Sequence, residues 1–147
     1  MATLSFSAAV AQWADKVEGA VEAIFKEATQ EVVEEMQRPV GQGGRMRVDT
    51  GFLRASLLAS STSMPAISAA KPVEGGTYPP VFGQIEAVIA GADIGDTLYF
   101  GYTASYAGYR EYGANGQPAD GFVRLAAQNW PIIVDRKAAE LKARLGL

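Results

Sequence analysis

From Phe6 to Met36 the apolar residues Phe6, Val10, Trp13, Val17, Val21, Ile24, Ala28, Val32 and Met36 return every three or four positions. That spacing draws one apolar stripe and predicts a single long helix from Ser7 to Gln37. Ser5 or Ser7 is placed to accept the first orphan backbone N–H groups. Arg38-Pro39 ends the run, because the residue before a proline is pushed out of the helical region. At 1.5 Å per residue the rod would be about 45 Å long, more than a domain of this size needs.

Downstream the periods are shorter. Asp49-Thr50-Gly51 reads as the N-cap of a short helix from Phe52 to Leu58. Leu57 to Ala70 looks extended, with an interruption at Met64-Pro65, and Lys71 to Pro80 reads as a surface loop. Gln84 to Ile89 and Thr97 to Tyr102 are predicted strands, with Gly91 to Asp96 as the turn between them. Ser105 to Tyr112 reads as a short helix. Asp120 is the expected cap of a C-terminal helix holding Phe122, Leu125, Ala126, Trp130, Ile133, Val134, Leu141 and Leu145. Pro131 should kink or break it near Trp130. The expected class is α+β: a long N-terminal helix, a small antiparallel sheet of three to four strands, a short helix and a C-terminal helix. One domain over 1–147 is expected, with 39–49 as a flexible loop and 71–80 as a surface loop.

Composition removes chemistry rather than adding it. The 147 residues include no Cys and no His. Disulfides, thiolate zinc sites and Cys nucleophiles are therefore excluded, along with the commonest general base and the commonest metal ligand. A non-enzymatic role without metal or cofactor is the expectation. No apolar run approaches the roughly 20 residues of a membrane span, and the first residues lack a basic-then-apolar signal pattern. A cytoplasmic site of synthesis and no membrane partner follow as expectations. The net charge of −3 argues against a general nucleic-acid binder. Its distribution is uneven. Up to Gln37, Asp15, Glu18, Glu22, Glu27, Glu31, Glu34 and Glu35 face only Lys16 and Lys26, whereas Arg38, Arg45, Arg47 and Arg54 then follow with Asp49 alone between them.

The Gly41–Arg47 segment, GQGGRMR, lacks the lysine and hydroxyl of a phosphate-binding loop, and Met46 stands where a dinucleotide fingerprint needs glycine. Arg45, Arg47 and Arg54 could neutralise nucleic-acid phosphates, but no aromatic neighbours are placed to stack on bases. Asp93 and Asp96 are a possible acid pair, more readily explained as turn residues, and Glu111 is the remaining acid candidate. Tyr99, Tyr102, Tyr106, Tyr109 and Tyr112 suit core packing and subunit contacts, or the groove of a small binding module.

Three segments carry a family resemblance. Val48-Asp49-Thr50-Gly51-Phe52-Leu53-Arg54-Ala55-Ser56 resembles the V-D-T-G-x-L-R-x-S signature of a tail-component family of long-tailed bacteriophages. Tyr106-Ala107-Gly108-Tyr109-Arg110-Glu111-Tyr112-Gly113 is similar to its Y-A-x-x-x-E-Y-G box. Gly121-Phe122-Val123-Arg124 stands where the family usually opens its last helix with a Pro-Phe-Leu-like start, so Gly121 is a departure. The order matches along nearly the whole chain, except that Met64 to Pro80 resembles nothing in the family.

The resemblance implies a virion structural protein: a neck, tail-completion or tail-terminator component, assembled in a bacterial cytoplasm. It implies a homo-hexameric ring at the head-proximal end of the tail, neighbours among head–tail connector and tail-tube proteins, and DNA only as cargo in the lumen. It brings no catalytic residues. A closed ring needs two different complementary faces on each subunit. The expected pair is Glu27, Glu31, Glu34 and Glu35 on one copy against Arg45, Arg47 or Arg54 of the next, with Tyr106, Tyr109 and Tyr112 as further interface candidates.

Overall fold

A computed structural model describes residues 5–146. Helix α1 runs unbroken over Phe6–Gln37, with the Ser5 hydroxyl accepting from the Ala8 N–H and Arg38 as its C-cap. A short 3-10 turn (Val40–Gln42), helix α2 (Phe52–Ala55) and strand β1 (Leu57–Ser60) follow. Then come α3 (Gly83–Ala90), β2 (Tyr99–Tyr102), α4 (Ala107–Tyr112), α5 (Phe122–Gln128) and α6 (Trp130–Leu145).

The predicted long helix is present, and the chain is richer in helix than expected. Among the described residues the sheet has two strands, not three or four: β1 and β2 pair antiparallel, with Leu57 opposite Tyr102 and Ser60 opposite Tyr99. The predicted strand at Gln84–Ile89 is helix α3. Ile85 and Ile89 share a face in either geometry, so they cannot discriminate. Ala87 can: a strand would bury it with them, and here it is exposed while both isoleucines are buried. Beyond Ser60 the predicted extended run to Ala70 is irregular, apart from one parallel bridge between Ser68 and Ala104.

What replaces a third strand is a side chain. The Gln84 amide donates to the Ala59 carbonyl at 2.6 Å and accepts from the Ala59 N–H at 3.0 Å, as a neighbouring backbone would. Gln84→Ala should therefore cost about 1–2 kcal/mol in chemical denaturation, from two lost bonds at a half-covered edge. A loss near zero would show that water replaces the amide fully.

The core forms where α1, the sheet, α3 and α5 meet, around Val33, Met36, Leu57, Ala59, Ile85, Ile89 and Ala126. A second cluster joins Met46, Leu53, Ala104 and Phe122, and Tyr102 and Val123 touch both. Helix α6 lies antiparallel to α1, fastened by Glu35 with Asn129, Glu31 with Arg136, Glu27 with Arg144, and Lys16 with the Leu145 carbonyl. The chain breaks between α5 and α6 at Asn129, with Pro131 in the first turn of α6, where its missing N–H is tolerated.

Candidate functional site

Two of the segments singled out in the sequence, 48–56 and 106–113, meet in space. Gly51 opens α2 with φ of 86°, a left-handed conformation that favours glycine, and a Cβ there would collide with the Tyr78 carbonyl. The cap position is Gly51 and carries no side-chain cap bond; the Thr50 hydroxyl instead makes a local turn, accepting from the Phe52 N–H at 3.2 Å, and the Thr50 carbonyl accepts from the Tyr78 N–H at 2.9 Å. Phe52 then lies between Tyr78, edge-on at 5.2 Å, and Tyr106, stacked at 6.3 Å. Burial raises the Tyr106 phenol above its usual range, with the Arg110 charge opposing. Around this contact a cleft of about 240 Å³ is lined by Asp49, Thr50, Gly51, Tyr106, Arg110 and Pro72. Helix α2 ends earlier than expected, at Ala55, where the Ser56 hydroxyl turns back onto the Leu53 carbonyl at 2.7 Å.

Arg54 closes the end of α1. Its Nε donates to the Gln37 carbonyl at 2.9 Å, setting a cation at a helix C-terminus whose last turn holds Glu34 and Glu35. The fully buried Gln37 side chain donates to the Arg54 carbonyl at 2.9 Å and accepts from the Tyr102 hydroxyl at 2.6 Å. Burial, reinforced by the Glu111 carboxylate and opposed by Arg54, pushes the Tyr102 phenol far above its ordinary range. It stays protonated and donates.

Glu111 belongs to a helix cap. Its buried carboxylate accepts from the Val123 and Arg124 N–H groups, each at 2.9 Å, and from Arg124 Nε at 3.0 Å. Those N–H groups are the second and third of α5, so a residue of α4 caps α5 from across the fold. The N-cap position itself is Gly121, and Asp120 does not cap the helix as predicted. Asp120 instead takes the Arg47 guanidinium, which also donates to the Pro118 carbonyl at 2.9 Å and to Gln117 at 3.3 Å. Each Glu111 oxygen is thus held by N–H donors, an arrangement that suits fastening rather than proton transfer.

The remaining candidates separate. Glu27, Glu31 and Glu35 are matched within the chain to Arg144, to Arg136 and Lys137, and to Asn129. Glu34 is exposed and accepts weakly from Gln30 at 3.4 Å. Arg47 and Arg54 are engaged as described, while Arg45 is exposed and makes no ion pair among the described residues. Met46 between them is fully buried, and Pro39 bridges to it, tying the ends of the glycine-rich turn together. The tyrosines do not form one groove. Tyr102 is in the Gln37 network and Tyr106 is half-buried, whereas Tyr109 and Tyr112 are exposed, with the Arg124 guanidinium 4.7 Å over the Tyr112 ring. Asp93 and Asp96 form a local turn, the Asp93 N–H donating to the Asp96 carboxylate at 2.8 Å.

Sequence reasoning missed Gln37, Gln84 and the Arg47–Asp120 pair, since each partner lies well over ten residues away. The comparisons add no identity: no protein-family model, no curated protein and no solved structure matches the chain.

Proposed function

We propose that this chain is a structural subunit of a phage or phage-like particle. It forms a ring, hexameric by the family resemblance, at the head-proximal end of the tail, completing the tail and joining it to the head connector as a neck or tail-terminator protein. One observation carries this reading. The segments 48–56 and 106–113, distant in sequence and both similar to boxes of that family, converge on one joint in which Phe52 stacks on Tyr106 and Glu111 caps α5. Their conspicuous residues serve as a left-handed turn, a cap and core, which fits a structural role. Connector and tail-tube proteins are the neighbours, and DNA passes through the lumen without being read.

The test is assembly. Light scattering on the purified protein, with electron micrographs of the same sample, should give a ring of about six copies, as a closed heterologous contact produces. A monomer at every concentration would refute the reading.

A further inference from the structure

The stripe of α1 is continuous in sequence, but its burial is not. Ala28 and Val33 are 0% and 2% exposed, whereas Phe6 and Trp13 on the same helix are 86% and 61% exposed. The reason is the length of α6, whose last turn reaches α1 at Lys16, Nζ to the Leu145 carbonyl at 2.7 Å. Residues 6–15 project beyond it as an apolar-striped arm about 15 Å long.

The same chain carries an apolar groove. Phe25, Val32, Met36, Leu98, Phe100 and Trp130 line a depression of about 350 Å³ between α1, β2 and the start of α6. The arm cannot fold back into it. Both lie on one unbroken helix, and Trp13 is about 18–28 Å along the axis from the groove wall at residues 25–32.

We infer that the α1 arm of one copy, through Phe6, Val10 and Trp13, docks in the Phe25–Leu98–Trp130 groove of the next copy. This rests on the ring reading above and names the contact that makes the ring. The areas agree with it. The exposed parts of Phe6 and Trp13, from rings of about 150–250 Å² each, supply with Val10 about 400 Å² on the arm side. Counting the groove, each contact buries about 800 Å², and the two contacts of each copy together pass the roughly 1,000 Å² of a specific interface. Every copy gives one arm and receives one, so each is held twice. Arm and groove are different surfaces, so the contact can be handed on from copy to copy, and it makes a ring when the rotation between copies closes.

The absence of cysteine makes the test clean. Val10→Cys with Thr97→Cys, oxidised mildly after assembly, should give a ladder of covalently linked copies on a denaturing gel. Neither single variant should extend beyond a dimer. Trp13→Ser should leave the helical circular dichroism unchanged and weaken assembly about 30-fold or more, as loss of a buried aromatic anchor does. Rings that form without the ladder, or at wild-type concentration with Trp13→Ser, would overturn the arm contact and leave the ring reading standing. Wild-type protein that never assembles would overturn both.

Discussion

Glu111→Ala is expected to lower the unfolding free energy by about 3 kcal/mol, since a bond to a charged acceptor contributes roughly 1.5–3 kcal/mol and several are lost together. The carboxylate is buried and holds two N–H groups of α5, which have no intrahelical acceptors to turn to. Arg124 is half exposed, so its charge recovers water and adds little to the loss. The effect should spread. Phe122 and Val123 sit at that same helix start and pack into the second core cluster, so loosening the cap loosens the contact between α4, α5 and the Met46–Leu53 region. Urea denaturation should show the midpoint falling by about 1–2 M. Glu111→Gln should be milder, because the amide oxygen still accepts one N–H while its NH₂ meets donors. If the alanine variant lost under about 0.5 kcal/mol, an ordinary surface value, the cap would hold nothing together.

Gly51→Ala should cost about 2–3 kcal/mol for two separable reasons. A left-handed φ penalises any Cβ, and this Cβ would also strike the Tyr78 carbonyl. Relief requires Tyr78 to move, which breaks its N–H bond to the Thr50 carbonyl and its edge contact with Phe52. Faster hydrogen exchange at Tyr78 is therefore expected beside the lower midpoint. Gly41→Ala is the control: its φ is ordinary and an added Cβ meets nothing within 4 Å, so it should stay within about 0.5 kcal/mol of wild type. Equal losses for the two variants would show that the Gly51 conformation is not what the D-T-G turn depends on.

Both predictions concern residues that sequence alone marks without explaining. Gly51 stands in a turn-rich segment, so a positive φ there is foreseeable, but the collision partner lies 27 positions downstream and nothing local points to it. Glu111 is more instructive. Within Ser105–Tyr112 it reads as one charge among aromatics and serves equally as a catalytic acid or a surface group. Its burial against the start of α5 decides the matter, and burial belongs to the packed chain. The helix at Gln84–Ile89 failed in prediction for a related reason: a short segment with two isoleucines four apart satisfies both periods, and the surrounding core chooses between them.

Several features set by local interactions were legible. The α1 stripe, the Ser5 cap, the stop at Pro39, the break at Pro131 and the strand at Tyr99–Tyr102 all follow from contacts within a few residues, which the order of side chains specifies directly. Tertiary structure decided the pairings over long separations: Arg47 with Asp120, Gln37 with Tyr102, Gln84 with Ala59. No local signal distinguishes these groups from solvated ones, because their energies exist only once the backbone has brought them together and removed the water. The same holds for α1. Its sequence drew an apolar stripe along the whole helix, and only the reach of α6 decided how much of that stripe this chain covers.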